Sequence, residues 1–198
     1  FLLSLAAFAY RVYPRFMHLC LGQPSNCLGQ WGQRIKALVV YVGGQVRLFR
    51  FKGTGIAHFF IFWGFMLLFP TILQGILEGL IPGFVLPIIG TSGPVLLLQD
   101  LIAVTVIFGV VYGLYYRVIV NPPRYEGSHR KEGVLVLVFI LTIMTGLLFG
   151  NGVRANLGEM PAELARWQVV SRLLVAPVAG FGEHTQHILQ EVSYWVHL

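Results

Sequence analysis

The stretch that decides the fold is the apolar segment from Gly53 to Leu80, GTGIAHFFIFWGFMLLFPTILQGILEGL. A helix needs about 20 mostly apolar residues, at a rise of about 1.5 Å each, to cross a bilayer. The segment is longer than that, and its ionisable residues are His58 near the start and Glu78 near the end. It therefore predicts a membrane-spanning helix with a histidine inside it.

His58 is a candidate functional residue, because an ionisable group inside such a helix is costly. Gly55 lies one turn before it and Gly64 about two turns after it. Small residues let a planar group or a second helix approach the backbone. Neutral imidazole is also a common axial ligand of haem iron. The pattern favours haem binding at His58 and Gly55; the alternative is a histidine that hydrogen-bonds between helices.

The composition indicates an integral membrane protein of the all-α class. Of the 198 residues, 56% are hydrophobic and 11% are charged, whereas soluble domains carry about 25% charged residues. The basic residues follow the connections between apolar segments, so the net charge of +6 is not interpreted as nucleic-acid binding. Cys20 and Cys27 are too few for an iron–sulfur cluster and are interpreted as ordinary thiols.

One transmembrane domain, residues 1–198, is predicted to form a bundle of about five membrane helices. The polar and basic stretch RIKALVVYVGGQVRLFRFK, 34–52, predicts an interfacial amphipathic helix broken at Gly43-Gly44. The loop from Asn151 to about Gly182 includes a candidate surface helix, PAELARWQVVSRLL. The predicted membrane helices are 1–13, ending before Pro14, then 53–80, 95–120, 133–150 and 183–198, with the first and last expected to be cut short.

The distribution of Lys and Arg predicts the orientation. Eleven lie between helices one and two, between helices three and four, or in the adjoining helix ends, and three lie on the other side. Basic residues favour the cytoplasmic side. We therefore expect the N-terminus outside and the C-terminus in the cytoplasm.

The histidines predict where a haem would lie. With five helices, His58 in helix two and His197 in helix five fall in the same half of the bilayer, and two facing imidazoles can hold one b-type haem. His184 and His187 lie near the outer surface and are weaker metal-ligand candidates. His18 and His129 lie in basic loops and are interpreted as surface residues.

The motif RLFRFKGTGIAHFFIFWGF, the helix from Asp100 to Arg117, Thr145-Gly146 and the closing YWVH together resemble a bacterial family. Its membrane domain is similar to the gamma subunit of respiratory nitrate reductase, usually fused to a cytoplasmic iron–sulfur domain. Relatives of the cytochrome subunit of heterodisulfide reductase belong to it, as do oxidoreductases linking electron-transfer flavoprotein to menaquinone. The resemblance covers essentially the whole chain.

The resemblance implies a cytochrome b-like domain with haem b between helices two and five and a quinone site beside it. His58 matches the family histidine of helix two, and Trp195 and His197 match its W-x-H motif. Leu48 and Gln190 stand where relatives carry further histidines, so one haem is expected and a second is left open. Family members usually have another histidine about five turns after the W-x-H motif.

The predicted function is electron transfer between a cytoplasmic iron–sulfur or flavoprotein partner and menaquinone or ubiquinone. The expected location is the bacterial inner membrane, in contact with lipid, within a quinone-linked oxidoreductase. The iron–sulfur cluster would lie in a partner or in a further C-terminal domain. The alternative is a haem-free membrane anchor or assembly subunit; a transporter is disfavoured because no repeat is evident. Candidate proton-handling residues are Arg50, Lys52 and Glu132 for an inner quinone site, and Glu78 and Asp100 for an outer one.

Overall fold

The computed structural model describes residues 2–22, 29–81, 83–123 and 129–197, without the side chains of residues 129 and 197. Every regular element in these ranges is helical, which confirms the all-α class. Residues 1–44 and 45–198 form two compact units, and the single domain stays a prediction. Cys27 lies outside the described residues, and Cys20 is an exposed free thiol.

The first unit contains two helices whose side chains are mostly exposed. Helix α1 spans Leu2–Cys20, and α2 spans Trp31–Ala37 and continues as a π-helical turn, Leu38–Gly43. The predicted end of the first helix before Pro14 is wrong. Proline removes one backbone donor and crowds the carbonyl four residues earlier, which can kink a helix instead of ending it, and α1 continues through it for six more residues. The predicted break at Gly43-Gly44 is confirmed, because the π-helical turn ends there.

The second unit holds the long apolar helices and three short ones. A 3₁₀ turn, Leu48–Arg50, precedes α3. The α-helices are α3 Lys52–Leu80, α4 Gly93–Tyr115 with a π-helical extension Tyr116–Val120, α5 His129–Asn156, α6 Ala162–Ala165, α7 Val169–Val175 and α8 Glu183–His197. A 3₁₀ turn, Ala176–Val178, follows α7.

Three helices in the described part of the chain are long and apolar enough to cross a membrane, fewer than the five predicted. They are Lys52–Leu80, Gly93–Val120 and Arg130–Asn156. Helix α1 carries Arg11, Arg15 and His18 within its 19 residues, which makes it less apolar. The 15 residues of α8 extend about 22 Å, less than the roughly 30 Å of a bilayer core.

The core lies between α3, α4 and α5. Its buried members are Leu68, Ala103, Val106, Val110, Met144, Leu147 and Leu148. Gly64 lets α3 and α4 pack closely, because a Cβ at this position would collide with the Val106 side chain. Six residues after Gly64, α3 passes through Pro70 without ending.

The predicted surface helix PAELARWQVVSRLL is wrong. The chain forms two short helices, α6 and α7, instead of one. Ser171 and Val175 of α7 are fully buried, because α7 packs against α5 where Gly152 leaves room for the backbone of Ser171. The predicted long loop is therefore part of the packed unit.

Candidate functional site

His58 lies two turns into α3 and lines a groove with a volume of about 370 Å³. The floor of the groove is made of small and apolar residues of α3 and α4, and Tyr116 and Arg117 stand at its edge. The small residues are Gly55, Ala57, Gly109 and Gly113. The imidazole is exposed in the groove rather than packed between helices. The groove can therefore receive a group that approaches His58.

A residue that the sequence did not single out holds the imidazole. Nδ1 of His58 lies 3.1 Å from Oε1 of Gln45. Gln45 is 4% exposed and has a backbone φ of 49°, in the left-handed region that is unfavourable for residues other than glycine. Because an amide oxygen only accepts, Nδ1 must donate its hydrogen, which leaves Nε2 with a free lone pair.

The turn that carries Gln45 packs against α3. The Leu48 amide donates to the Gln45 carbonyl at 2.8 Å, and the Leu48 carbonyl lies so close to Gly55 that a Cβ there would collide with it. The rings of Phe49 and Phe59 are in contact, with centroids 5.4 Å apart. Gly55 therefore allows the turn to pack against α3, and it also lines the groove.

The donor set of the groove fits haem better than a bare metal ion. In the described part of the chain, no three His, Cys, Asp or Glu side chains come together to hold a metal ion. A porphyrin supplies four ligands to its iron, so one or two imidazoles are enough. Metal-binding histidines commonly donate their second ring N–H to a protein acceptor, as His58 does to Gln45.

A second cavity, of about 460 Å³, lies at the other end of α3. Charged groups surround it: Arg154 contacts Glu78 at 3.3 Å and Glu159 at 3.8 Å. Three buried amide atoms of its lining have no partner in the protein: Oε1 of Gln74, Nδ2 of Asn151 and Oε1 of Gln168. The cavity is large enough to hold ordered water at these atoms.

Asp100, a candidate proton-handling residue in the sequence, caps the start of α7. Its carboxylate is fully buried and accepts hydrogen bonds from the Val170 amide at 2.9 Å and the Ser171 amide at 3.0 Å. The Ser171 hydroxyl donates to it at 2.7 Å. These donors bind the start of α7 to α4, so the carboxylate already has a full structural role.

The other proposed proton-handling residues occupy ordinary places at helix ends. Glu78, in the last turn of α3, pairs with Arg154. Arg50 ends the 3₁₀ turn and Lys52 begins α3. Glu132 lies in the first turn of α5, where a negative charge favours the helix.

The structure does not bring the helix of His197 level with His58. The Tyr194 hydroxyl lies 3.4 Å from the carbonyl of Gly75, which is about 25 Å along α3 from His58. His197 follows Tyr194 by three residues and recovers only about 5 Å of this separation. Trp195 is 72% exposed and contacts Tyr194. The side chain of His197 lies outside the described part, so the ligand pair itself stays a prediction.

His184 and His187 lie in the first two turns of α8. Nδ1 of His187 is 3.6 Å from Glu159, and its Nε2 is 3.9 Å from Glu183. His184 is exposed. Within the described residues this end of α8 offers carboxylate contacts and no set of metal ligands.

In the described residues these features define an all-helical fold, with three helices long and apolar enough to cross a membrane and a groove presenting one oriented imidazole. The chain is 28% identical over 191 residues to the "Probable iron-sulfur-binding oxidoreductase FadF" of Bacillus subtilis (strain 168). The match covers 96% of this chain and 26% of that protein, so the chain spans about a quarter of its relative's length.

This likeness supports a relationship to an oxidoreductase family. It does not confirm the resemblance to the nitrate reductase gamma subunit. No family model matches the chain, and no solved structure matches it either.

Proposed function

We propose that this chain is a membrane cytochrome b domain that carries electrons between a cytoplasmic iron–sulfur partner and menaquinone or ubiquinone. The observation that carries the proposal is the orientation of His58: Nδ1 is engaged by Gln45, and Nε2 is left free in a groove lined by small residues. Haem, when bound, would supply the one-electron steps that two-electron quinone chemistry needs.

The chain's own residues would bind and orient the cofactor. His58 would bind the haem iron through Nε2. Gly109 and Gly113 line the groove and let α4 pack closely against α3 and α5, and the apolar lining would keep water from the iron. The likeness to an iron–sulfur-binding oxidoreductase supports an electron-transfer role, with the cluster in a partner or a further domain.

The predicted second ligand of the proposed haem is not level with the first. His197 was predicted for this role, but its helix lies about 20 Å along the axis from His58. A helix that continued from His197 in the same direction would come level with His58 about 13 residues further on. The family resemblance implies a histidine about five turns, or about 18 residues, after His197, which is about five residues beyond that level.

The five-helix bundle, with its N-terminus outside and its C-terminus in the cytoplasm of a bacterial inner membrane, belongs to the same proposal. It is supported by the three apolar spans and by the positions of Lys and Arg. In this proposal His58 lies in the cytoplasmic half of the bilayer.

The test is the absorption spectrum of the purified, haem-reconstituted protein after dithionite reduction. We expect a b-type band that His58→Ala abolishes, because the axial ligand is lost. We also expect His197→Ala to keep the band, because its helix is not level with the groove. His18→Ala, the same change on exposed α1, is the control. Reoxidation of the reduced band by a soluble quinone analogue tests the quinone link.

A colourless protein under these conditions would favour a haem-free anchor or assembly subunit. The contact between His58 and Gln45 would then be an ordinary hydrogen bond between a turn and a helix. Loss of the band in both His58→Ala and His197→Ala would instead support the originally predicted ligand pair.

A further inference from the structure

We infer that Gln45 is a positioning residue: its side-chain oxygen fixes His58 in the tautomer that carries hydrogen on Nδ1 and so makes Nε2 the iron ligand. The iron in this statement rests on the proposed function. The tautomer does not, because it follows from the contact between the two side chains.

The backbone around Gln45 shows that its position is strongly constrained. Its φ of 49° costs a residue with a side chain about 1 kcal/mol or more. The turn is held in this shape by the Leu48 amide, by the close approach to Gly55 and by the Phe49–Phe59 contact. The surrounding contacts thus keep a buried amide side chain beside His58.

The chemistry of the contact sets the direction of the effect. An acceptor at Nδ1–H pushes electron density into the imidazole and makes Nε2 a stronger donor. Without that acceptor, the imidazole can turn and exchange its hydrogen between the two nitrogens. Loss of a hydrogen-bond partner of a ligating histidine typically weakens metal binding about 10- to 100-fold.

Three variants separate the effect of the Gln45 side chain from the effect of its left-handed backbone. Gln45→Leu has similar bulk and no acceptor. Gln45→Glu keeps an acceptor oxygen at the same reach and has no amide N–H. Gln30→Leu is the matched control, because Gln30 also adopts a left-handed backbone, with φ 59°, but is exposed at the start of α2.

The first measurement is ¹⁵N NMR of the haem-free protein in detergent, labelled at histidine, with the His58 signals assigned from His58→Ala. We expect hydrogen on Nδ1 of His58 in the wild type, in Gln45→Glu and in Gln30→Leu. We expect a mixture of tautomers in Gln45→Leu. Hydrogen on Nε2 in the wild type, or an unchanged tautomer in Gln45→Leu, would overturn the inference.

The second measurement is haem affinity, by competition with a haem-binding protein of known affinity. We expect the dissociation constant to rise about 10- to 100-fold in Gln45→Leu and to stay close to the wild-type value in Gln45→Glu and Gln30→Leu. Equal affinity in Gln45→Leu and the wild type would refute the positioning role. Haem that binds without His58 would instead refute the proposed function, while the NMR result would still decide the tautomer.

Discussion

The polar groups at the two ends of α3 differ in how fully their hydrogen bonds and charges are paired. At the Gln45 end, one imidazole has one nitrogen bonded and the other free in a groove. At the Glu78 end, the carboxylates are paired with Arg154 or cap α7, as Asp100 does. The first end leaves a groove beside an unbonded ring nitrogen, whereas the charged groups of the second end pair with each other or hold helices together. A polar residue in an apolar helix is therefore a functional candidate only after its bonds have been counted.

The largest effect is expected at Asp100. Asp100→Asn removes the charge that three donors share and turns an amide N–H toward them, so we expect the free energy of unfolding to fall by about 3 kcal/mol. Chemical denaturation in detergent micelles measures this, with the exposed Glu163→Gln as the control. Because Asp100 is at the far end, the affinity for the haem of the proposed function should not change; a specific loss of that affinity would contradict the division between the ends.

A moderate effect is expected at Gly55, on the groove side. Gly55→Ala forces a methyl group against the Leu48 carbonyl, and overpacking of this kind costs about 1–3 kcal/mol. Gly32→Ala, in an open position of α2, is the control and should leave stability unchanged or slightly raised. The measurement is thermal unfolding together with the His58 tautomer. A stable Gly55→Ala with an unchanged tautomer would show that the turn does not control the imidazole.

The smallest effect is expected at the ion pair between Arg154 and Glu78. Both side chains are about one-third exposed, so their coupling should be below about 1 kcal/mol and should weaken as salt is added. A double-mutant cycle with Arg154→Gln and Glu78→Gln measures it. A coupling of several kcal/mol that salt did not reduce would mean that this end is as tightly organised as the groove.

The helix content of the chain could be predicted from the sequence because a long apolar run in a membrane must satisfy its backbone hydrogen bonds internally, which a helix does. The run around His58 has the predicted boundaries to within one residue. Pro14 misled the prediction because a proline in a long helix costs one hydrogen bond and does not by itself end it. The division of 161–174 into two helices depends on Asp100, about 70 residues away in the chain, which local periodicity does not report.

The candidate site could be predicted only in part. His58 was found because a histidine stands out in an apolar run, whereas Gln45 gave no signal in a stretch interpreted as an amphipathic helix. Its role needs a turn with positive φ, and the adjacent Gly43-Gly44 break was the one visible hint of such a turn. The levels of His58 and His197 were estimated from helix lengths. The Tyr194–Gly75 contact shows how far that estimate was from the packed arrangement.

Pro70 gives the two ends of α3 a degree of mechanical independence. Proline has no N–H to donate, so the carbonyl of Met66 lacks its helical hydrogen-bond partner. Helix α3 therefore bends most easily at Pro70, between His58 and Glu78. A tilt imposed by a docking partner on one side would be absorbed at this joint instead of moving the imidazole on the other. Bending at Pro70 would therefore leave the geometry around Nε2 of His58 unchanged.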